Sequence, residues 1–553
     1  MEHPIIKRRT PPVHEEQGEG LFFKQKWRTA SPLSSAVPFF SWEILQIVLI
    51  HCIAGVFFGY NIGFVGPYYT FVRIRHDCSL NTGDNACASF NFGQCVWHNG
   101  NCEFAKSACT DLMQAECNSG VPQKQIQCHW NLKVGECEPL VGYTAAESGV
   151  FAASMIVGGC LGSLGAGFLL TAAGRTRTFL IYGIVACLTA VITHVSTYTE
   201  QYLMVIIGRV LAGVVSGILC VASPMYVEEI TPVCHRQLVG VFFQVACTFG
   251  ILLAAAAGLV LNPGDFSTDV HMQARHQGLC VLNSLFSGLL VIVGLLMRES
   301  PTWVEQMIQQ RGVREERNSI GASLRGKVED TDEAWEGTNE ANTVRPSWSV
   351  LAQIVFAAFM LCIAQQMTGI NAIMNYAPTI TGALGFAPLA GNVLVMAWNF
   401  LSVLVSIPLS FKYRADHTFN IALCFASASC LLTGITLLPA VGASVTVKRL
   451  LSGFGIALFI LCFEVGMGSF FWTLSQGIFP PSFRARGSSL TVLFQFVLNA
   501  LMNLGFPVAV EKISGGPSGD QEKGMGVVFI VFGGMGFASA ACLLKYLRLW
   551  DLE

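Results

Sequence analysis

Charged side chains are scarce in this chain. Only 12% of its 553 residues are Asp, Glu, Lys or Arg, about half the fraction in soluble domains, whereas 52% are hydrophobic. The 33 basic and 35 acidic residues nearly cancel, and no basic cluster indicates a nucleic-acid partner. This composition predicts a chain that crosses a lipid bilayer many times.

Catalytic signatures are missing as well. The sequence shows no metal-ligand cluster, no nucleophile–base set and no phosphate-binding loop, so we expect no enzyme, no metal and no cofactor. The N-terminus also lacks the pattern of a cleaved signal peptide. Its first 40 residues are polar and basic, and the first apolar run is too long for such a peptide.

Long apolar windows are abundant instead, and they predict twelve membrane spans. In the first half they centre near 44–72, 147–171, 178–195, 201–227, 238–261 and 277–297, and in the second half near 349–383, 390–411, 418–438, 450–478, 487–510 and 525–547. We predict a tail (1–41), a first six-helix bundle (42–297), a cytoplasmic helical linker (298–347), a second bundle (348–547) and a short tail (548–553). The distribution of Lys and Arg between the two sides places both termini in the cytoplasm.

Cysteine usage changes sharply between spans 1 and 2. Eight of the 20 cysteines lie in the polar, exofacial segment 73–142: Cys78, Cys87, Cys95, Cys102, Cys109, Cys117, Cys128 and Cys137. An even number of closely spaced cysteines outside the cell favours a disulfide-stapled subdomain. A zinc site is the alternative, but the segment contains no C-x2-C pair. Eight cysteines allow 105 pairings, so none is assigned.

Uncharged polar residues interrupt the apolar run of span 7. At helical spacing Gln365, Thr368, Asn371 and Asn375 share one stripe, with Gln366 beside it. Hydrogen bonding between helices would explain one such amide, but the cluster favours a binding face for a ligand made of hydroxyl groups. Further candidates are Gln244 in span 5, Asn399 in span 8, Trp472 in span 10 and Gln495 in span 11.

The second half of the chain echoes the first. Span 4 opens at Gly208-Arg209 and ends before Thr231-Pro232 and Arg236, whereas span 10 follows Lys448-Arg449 and ends before Phe479-Pro480-Pro481 and Arg484. Because similar residues flank span 4 and span 10, the sequence predicts two related six-helix halves. Proteins of this kind bind substrate between their halves near the middle of the membrane.

Six short motifs carry a family resemblance: Gly59-Tyr60-Asn61, Gly208-Arg209, Pro224-Met225-Tyr226-Val227-Glu228-Glu229, Arg298-Glu299-Ser300-Pro301, Gln365-Gln366-x-x-Gly369-Ile370-Asn371 and Phe463-Glu464-Val465-Gly466 ahead of Trp472. Together they resemble the sugar porters of the major facilitator superfamily. Within that family the cysteine-rich loop is similar to that of the kinetoplastid hexose transporters.

The resemblance implies a facilitative carrier of glucose and fructose in the plasma membrane, working as a monomer by alternating access. It implies sugar contacts at Gln244, Gln365, Gln366, Asn371, Asn399, Trp472 and Gln495. It assigns Tyr376 to the outer gate. A cytoplasmic lock would comprise Arg175, Arg209, Glu229, Arg236 and Glu464. The alternative is a sugar sensor that shares the fold without transporting.

Some positions depart from the family pattern. The acidic residue usually found five positions after the span 10 Trp is Gly477, and the basic turn after span 8 is reduced to Lys412-Tyr413-Arg414-Ala415-Asp416. Proton-driven relatives carry a carboxylate in span 1 near the span 4 arginine, whereas this chain has Asn61 there. Because an amide has no proton to exchange, we predict passive transport, with coupling through Glu464 as the alternative.

Overall fold

The computed structural model describes residues 39, 41–68, 95–98, 101–104, 128–131, 136–139, 145–199, 201–261, 269–309, 312, 348–371, 374, 388–439, 445–515 and 520–547. Twelve helices in these ranges are long and apolar enough to cross a membrane. Helices suit such runs because hydrocarbon offers no partner to backbone N–H and C=O groups, which an α-helix satisfies internally. The twelve predicted spans are confirmed.

The first half contains six helices that correspond to spans 1–6. They are α1 (Trp42–Gly63), α2 (Ala145–Ala173), α3 (Arg175–Thr199), α4 (Tyr202–Ile230), α5 (Val233–Leu261) and α6 (Asp269–Leu296). Residues 301–309 form a short linker helix. The remainder of the predicted linker lies almost wholly outside the described residues.

The second half contains spans 7–12, two of which are interrupted. They are α7 (Trp348–Gln366), α8 (Pro388–Leu404 and Ser406–Lys412), α9 (Ala415–Leu437), α10 (Val445–Cys462 and Ser469–Gly477, joined by the π-helical turn Phe463–Gly468), α11 (Arg484–Ser514) and α12 (Gln521–Leu547). Gly369, with φ of 97°, follows α7 and breaks the long apolar run there.

Helix packing repeats between the halves. In the first half α1 packs on α5, α2 on α4 and α3 on α6; in the second half α7 packs on α11, α8 on α10 and α9 on α12. Two equivalent edges join the bundles, α2 against α11 and α5 against α8. The arrangement confirms two six-helix bundles related by an internal repeat.

The contact between α2 and α4 is made by main chain. A Cβ atom placed on Gly158 would lie 2.0 Å from the carbonyl oxygen of Val210, and one on Gly213 would lie 2.1 Å from that of Met155. Only residues without a side chain allow the two helices to approach so closely. The glycines of span 2 therefore allow the tight packing at this contact.

Two β-hairpins in the loop after α1 were not predicted. Strand β1 (Cys95–His98) pairs with β2 (Asn101–Phe104), and β3 (Cys128–Asn131) pairs with β4 (Glu136–Pro139). Four-residue strands are too short to show a clear alternating pattern in sequence. In each hairpin the backbone register pairs a tryptophan with a cysteine, Trp97 with Cys102 and Trp130 with Cys137.

The described cysteines separate into two groups. Cys102 is disulfide-bonded, and the twelve free cysteines all belong to the helical part of the chain or its short turns. The pairing within the loop rests on residues outside the described ranges, so the proposed set of up to four bridges stays a prediction.

The two ends of the bundles differ in character. The turns α2–α3, α4–α5, α8–α9 and α10–α11 lie at one end, which we call the ion-pair end because the described salt bridges are there. The hairpins lie at the opposite end, the loop end.

Candidate functional site

A hydrogen-bonded chain of side chains joins the two bundles in the membrane interior. Trp472 Nε1 donates to Gln244 Oε1 at 3.1 Å, and Gln244 Nε2 donates to Glu464 Oε2 at 3.0 Å. Asn399 also hydrogen-bonds to Glu464. Gln244 comes from α5 of the first bundle and the other three residues from α8 and α10 of the second. The structure thus brings together three of the predicted sugar contacts.

The π-helical turn of α10 creates the space for this network. A Cβ atom on Gly468 would lie 2.7 Å from Glu464 Oε2 and 3.1 Å from Gln244 Nε2. Ser469 Oγ donates to the carbonyl oxygen of Glu464, which accepts this bond inside the irregular turn. π-turns within α-helices frequently occur at functional sites.

Aromatic rings surround Trp472. Its ring centroid lies 4.6 Å from that of Phe243, 5.3 Å from Phe471 and 6.4 Å from Phe58, all in edge-on arrangements. The side chain is only 1% exposed. Its polar N–H group is aimed at Gln244 while its ring forms an apolar wall beside the amides.

A second polar group lies on α7 and the segment after it. Asn371 Nδ2 donates to Gln366 Oε1 at 2.8 Å, and Gln365 and Gln366 are both buried. Because α7 ends at Gln366, the predicted stripe is not one continuous helical face. Asn371 reaches the cluster from beyond the break, and Asn375 lies outside the described residues.

Gln495 is placed at the same level of the membrane as this second group. Cys362 Sγ donates to the carbonyl oxygen of Thr491, which fixes α7 against α11. Gln366 lies one helical turn beyond Cys362, and Gln495 lies one turn beyond Thr491. Since α7 and α11 run in the same direction, the side chains of Gln366 and Gln495 lie at a similar depth in the membrane.

Three of the predicted amides have buried carbonyl oxygens without a hydrogen-bond donor among the described residues. They are Gln365 Oε1, Asn399 Oδ1 and Gln495 Oε1; among the other described amide side chains, only Asn420 shares this feature. An unsatisfied buried acceptor costs about 1–3 kcal/mol. This set of acceptors therefore suits a ligand that supplies several hydroxyl groups. The predicted gate residue, Tyr376, lies outside the described residues.

At the ion-pair end, Arg175 and Glu229 form a buried salt bridge. Arg175 Nε donates to Glu229 Oε2 at 2.9 Å, and both side chains are 3% exposed. Glu299 accepts the backbone N–H groups of Arg175 and Thr176 at 2.8 and 3.1 Å, which caps the start of α3. All of these residues belong to the first bundle or the segment directly after it.

Glu228 connects the two bundles at the same end. It accepts from Arg236 at 2.9 Å and lies 3.7 Å from Arg484 of α11. Neither Glu228 nor Arg484 was among the predicted lock residues. The internal repeat holds the missed signal, because Arg236 and Arg484 both follow a proline by four residues, Pro232 and Pro480.

Two residues assigned to the lock lie elsewhere. Arg209 occupies the loop-end half of α4, where its guanidinium donates to the carbonyl oxygens of Phe151 and Asn61 at 3.0 and 3.4 Å. No carboxylate in the described part of the chain pairs with it. Glu464 belongs to the network with Gln244, not to the ion-pair end. Both assignments to the lock were wrong.

A cleft of about 620 Å³ between α7 and α11 does not coincide with these residues. Its walls are apolar and include Phe356, Phe359 and Phe494, with none of the predicted sugar contacts.

Twelve membrane helices in two repeated bundles, with buried amides between them, define a membrane transporter of the major facilitator fold. The chain belongs to the family described as "Sugar (and other) transporter", which matches residues 47–543. This membership confirms both the resemblance noted in the sequence and the prediction that the chain is not an enzyme.

Curated relatives extend over nearly the whole chain. It is 37% identical to "Glucose transporter 2A" of Trypanosoma brucei brucei over 516 residues, covering 93% of this chain and 89% of the relative. It is 37% identical to "Glucose transporter HT1" of Trypanosoma vivax, covering 94% and 87%. "Membrane transporter D2" of Leishmania donovani is 33% identical, covering 93% and 90%.

Solved structures show the same fold. The proton:xylose symporter XylE of the major facilitator superfamily, bound to 6-bromo-6-deoxy-D-glucose, matches with a TM-score of 0.63 at 16% identity, covering 91% of this chain and 95% of XylE. At this identity the likeness supports the fold alone, and it confirms the predicted fold class.

Proposed function

We propose that this protein is a facilitative hexose transporter that carries glucose, and fructose as a second substrate, by alternating access. Trypanosome relatives named as glucose transporters cover nearly the whole chain and support the substrate class. The observation that carries the assignment of the site is the set of buried carbonyl oxygens without a donor at Gln365, Asn399 and Gln495.

In this proposal the sugar binds between the bundles. Gln244 of the first bundle and the Gln366–Asn371 pair of the second exchange bonds with its hydroxyl groups, and Glu464 accepts one more. The Trp472 ring faces the C–H side of the sugar. A ligand that contacts both bundles links their movement, because it binds best in states that bring the two sets of amides together.

The surroundings of Arg209 support the proposal of passive transport. Arg209 contacts the main-chain oxygen of Asn61, and the Asn61 amide donates to Phe57 O at 2.9 Å and to Asn283 Oδ1 at 3.1 Å. The side-chain amides of Asn61 and Asn283 can neither take up nor release a proton at physiological pH. Net sugar flux is therefore expected to follow its gradient.

Proton coupling through Glu464 is the second candidate. It is favoured by the position of this carboxyl group within the interface, bonded to Gln244 and Asn399, with no cationic partner among the residues described. A carboxyl group that both contacts the sugar and binds a proton would couple proton movement to sugar movement.

We place the protein in the plasma membrane as a monomer, with the ion-pair end and both termini in the cytoplasm and Tyr376 at the outer gate. The exofacial loop is proposed to form disulfides among its eight cysteines, separate from the transport step.

The site is tested by hexose counterflow in proteoliposomes. Gln366→Ala and Asn371→Ala are each expected to weaken sugar affinity by roughly 5- to 150-fold, which corresponds to about 1–3 kcal/mol for a lost buried hydrogen bond. Gln353→Ala, an exposed glutamine on α7, is the matched control. Wild-type kinetics in both site variants would show that the amides only hold helices together.

Coupling is tested by hexose accumulation with and without a protonophore. A uniporter equalises sugar across the membrane under both conditions. Accumulation above the outside concentration that collapses with the protonophore, and is lost in Glu464→Gln, would establish the second candidate.

A further inference from the structure

The α5–α8 edge of the ion-pair end is joined without any charged pair in the described residues. Gln237, near the start of α5, donates from Nε2 to the carbonyl oxygens of Ser410 at 3.2 Å and Tyr413 at 2.6 Å. These carbonyls belong to the last turn of α8 and the residue that follows it. Such C-terminal carbonyls lack partners within their own helix, so Gln237 of one bundle caps a helix of the other.

An aromatic contact crosses the same edge. The ring of Phe39, which precedes α1, lies 5.7 Å from His235 of α5 and 6.3 Å from Phe411 of α8. Phe39 and Gln237 thus contact the last turn of α8 from two positions in the first half of the chain. We call these two residues the α5–α8 latch.

The other contacts between bundles at this end differ in kind and place. Glu228 and Arg484 join α4 to α11 by charge, and Gln306 of the linker helix donates to the carbonyl oxygen of Pro481 at 3.4 Å. Position 477, where the family usually has an acidic residue, is glycine. The α5–α8 edge therefore relies on hydrogen bonds to main chain and on aromatic packing.

We propose that the α5–α8 latch holds the ion-pair end closed in the conformation described here, with Gln237 as its main positioning residue. When the bundles separate at this end, both carbonyls must exchange Gln237 for water. The latch favours the closed arrangement to the extent that this exchange is unfavourable.

The donor role of Gln237 gives the proposal a specific chemical test. Gln237→Glu keeps the size of the side chain but replaces the donating NH2 group by an oxygen, which the two carbonyls repel. Gln237→Lys changes the shape but retains a donor. If the latch depends on donation, Gln237→Glu should weaken it and Gln237→Lys should preserve it. If it depends on side-chain shape alone, Gln237→Glu should preserve it and Gln237→Lys should weaken it.

Closure is read from a cysteine at position 489. Ser489 of α11 is buried, and its hydroxyl oxygen would lie 2.8 Å from a Cβ atom on Gly167 of α2, across the second edge. In full-length protein carrying Ser489→Cys, the rate of modification by a small water-soluble maleimide is measured at this residue by peptide mass spectrometry. Slow modification indicates the closed end.

Gln237→Glu is expected to raise the modification rate about tenfold, whereas Gln237→Lys is expected to leave it within about twofold of the parent. Phe39→Ala is expected to give a smaller increase. Gln353→Glu, on the exposed surface of α7, is the control for added charge. The proposal is overturned if Gln237→Glu labels at the parent rate or if the Lys and Glu variants label alike.

This inference goes beyond the proposed substrate, and its outcome is separate. The labelling assay needs no sugar and no transport. A changed labelling rate in a protein that moves no hexose would reject the proposed function and retain the latch. Normal hexose transport in a Gln237→Glu variant with unchanged labelling would reject the latch and retain the proposed function. Because the latch carries no charge, the effect of Gln237→Glu relative to Gln353→Glu is expected to persist at high salt.

Discussion

The fourth helix of each half is followed by a proline and an arginine at the same spacing, but the residue three positions before the proline differs in charge. Pro232 follows α4 and Pro480 follows α10, and an arginine comes four residues after each. Three residues before the proline, the first half has Glu229 and the second has Gly477. The repeat thus keeps the basic residue and loses the acid that would hold the adjoining turn.

This difference decides which turn is stable by itself. In the first half Arg175 is buried against Glu229, and Glu299 caps the same turn. In the second half Arg414 is 56% exposed and pairs with its near neighbour Asp416 at 3.0 Å. The start of α9 has no side-chain cap.

The second bundle obtains its missing contacts from the first. Arg484 pairs with Glu228 across the interface, and Gln237 caps the end of α8. These contacts exist only while the ion-pair end is closed. In the proposed alternating-access cycle the first bundle would keep its turn, whereas the second would exchange its contacts for water each time this end opens.

The largest effect is expected from breaking the buried pair. Glu229→Gln leaves Arg175 buried without a counter-charge and should destabilise the protein by about 3–5 kcal/mol. The measurement is thermal unfolding of the purified protein in detergent. Asp416→Asn, the corresponding change in the exposed pair, should cost less than about 1 kcal/mol. Equal losses of stability in the two variants would contradict the asymmetry.

A smaller effect is expected from the turn that carries Arg175. Gly174 has φ of 84°, and a Cβ atom there would lie 2.5 Å from Glu299 Oε2. Gly174→Ala should combine backbone strain of about 1–2 kcal/mol with displacement of the cap. Gly515→Ala is the matched control, because Gly515 has φ of 88° but nothing within 4 Å of its Cβ position. The thermal shift of Gly174→Ala should exceed that of the control; identical shifts would show that Glu299 contributes nothing to the turn.

Restoring the acid should give the smallest change. A Cβ atom on Gly477 would meet nothing within 4 Å, so Gly477→Glu can be accommodated and can approach Arg414 as Glu229 approaches Arg175. The gain over Gly477→Gln, which controls for size and helix propensity, should be under about 1 kcal/mol and should shrink in high salt. A difference between the two variants that does not respond to salt would exclude an ion pair.

Most of the fold was readable from sequence because membrane spans depend on composition over about 20 residues. The amide cluster was readable for the same reason, since polar groups in an apolar run need an explanation. Arg209 shows where resemblance misled the interpretation. It lies 20 residues before Glu229 on the same helix, a distance of about 30 Å, so the two could not share one lock.

Other features depend on tertiary contacts that no local pattern reveals. Glu464 belongs to the proposed sugar site because the π-helical turn directs it to Gln244 of the other bundle. Gln237 has main-chain oxygens as partners, and these have no sequence signature. The four short strands were invisible to periodicity.

The glycine contact between α2 and α4 has a consequence for how such a chain can diverge. At Gly158 and Gly213 any side chain would collide with a carbonyl oxygen of the facing helix. Neighbouring Leu161 and Leu164 are 57% and 65% exposed and face away from the protein interior. The helix thus places positions of nearly zero mutational tolerance beside positions of broad tolerance. Substitutions can accumulate along its lipid-facing stripe over long times without altering the distance between the helices.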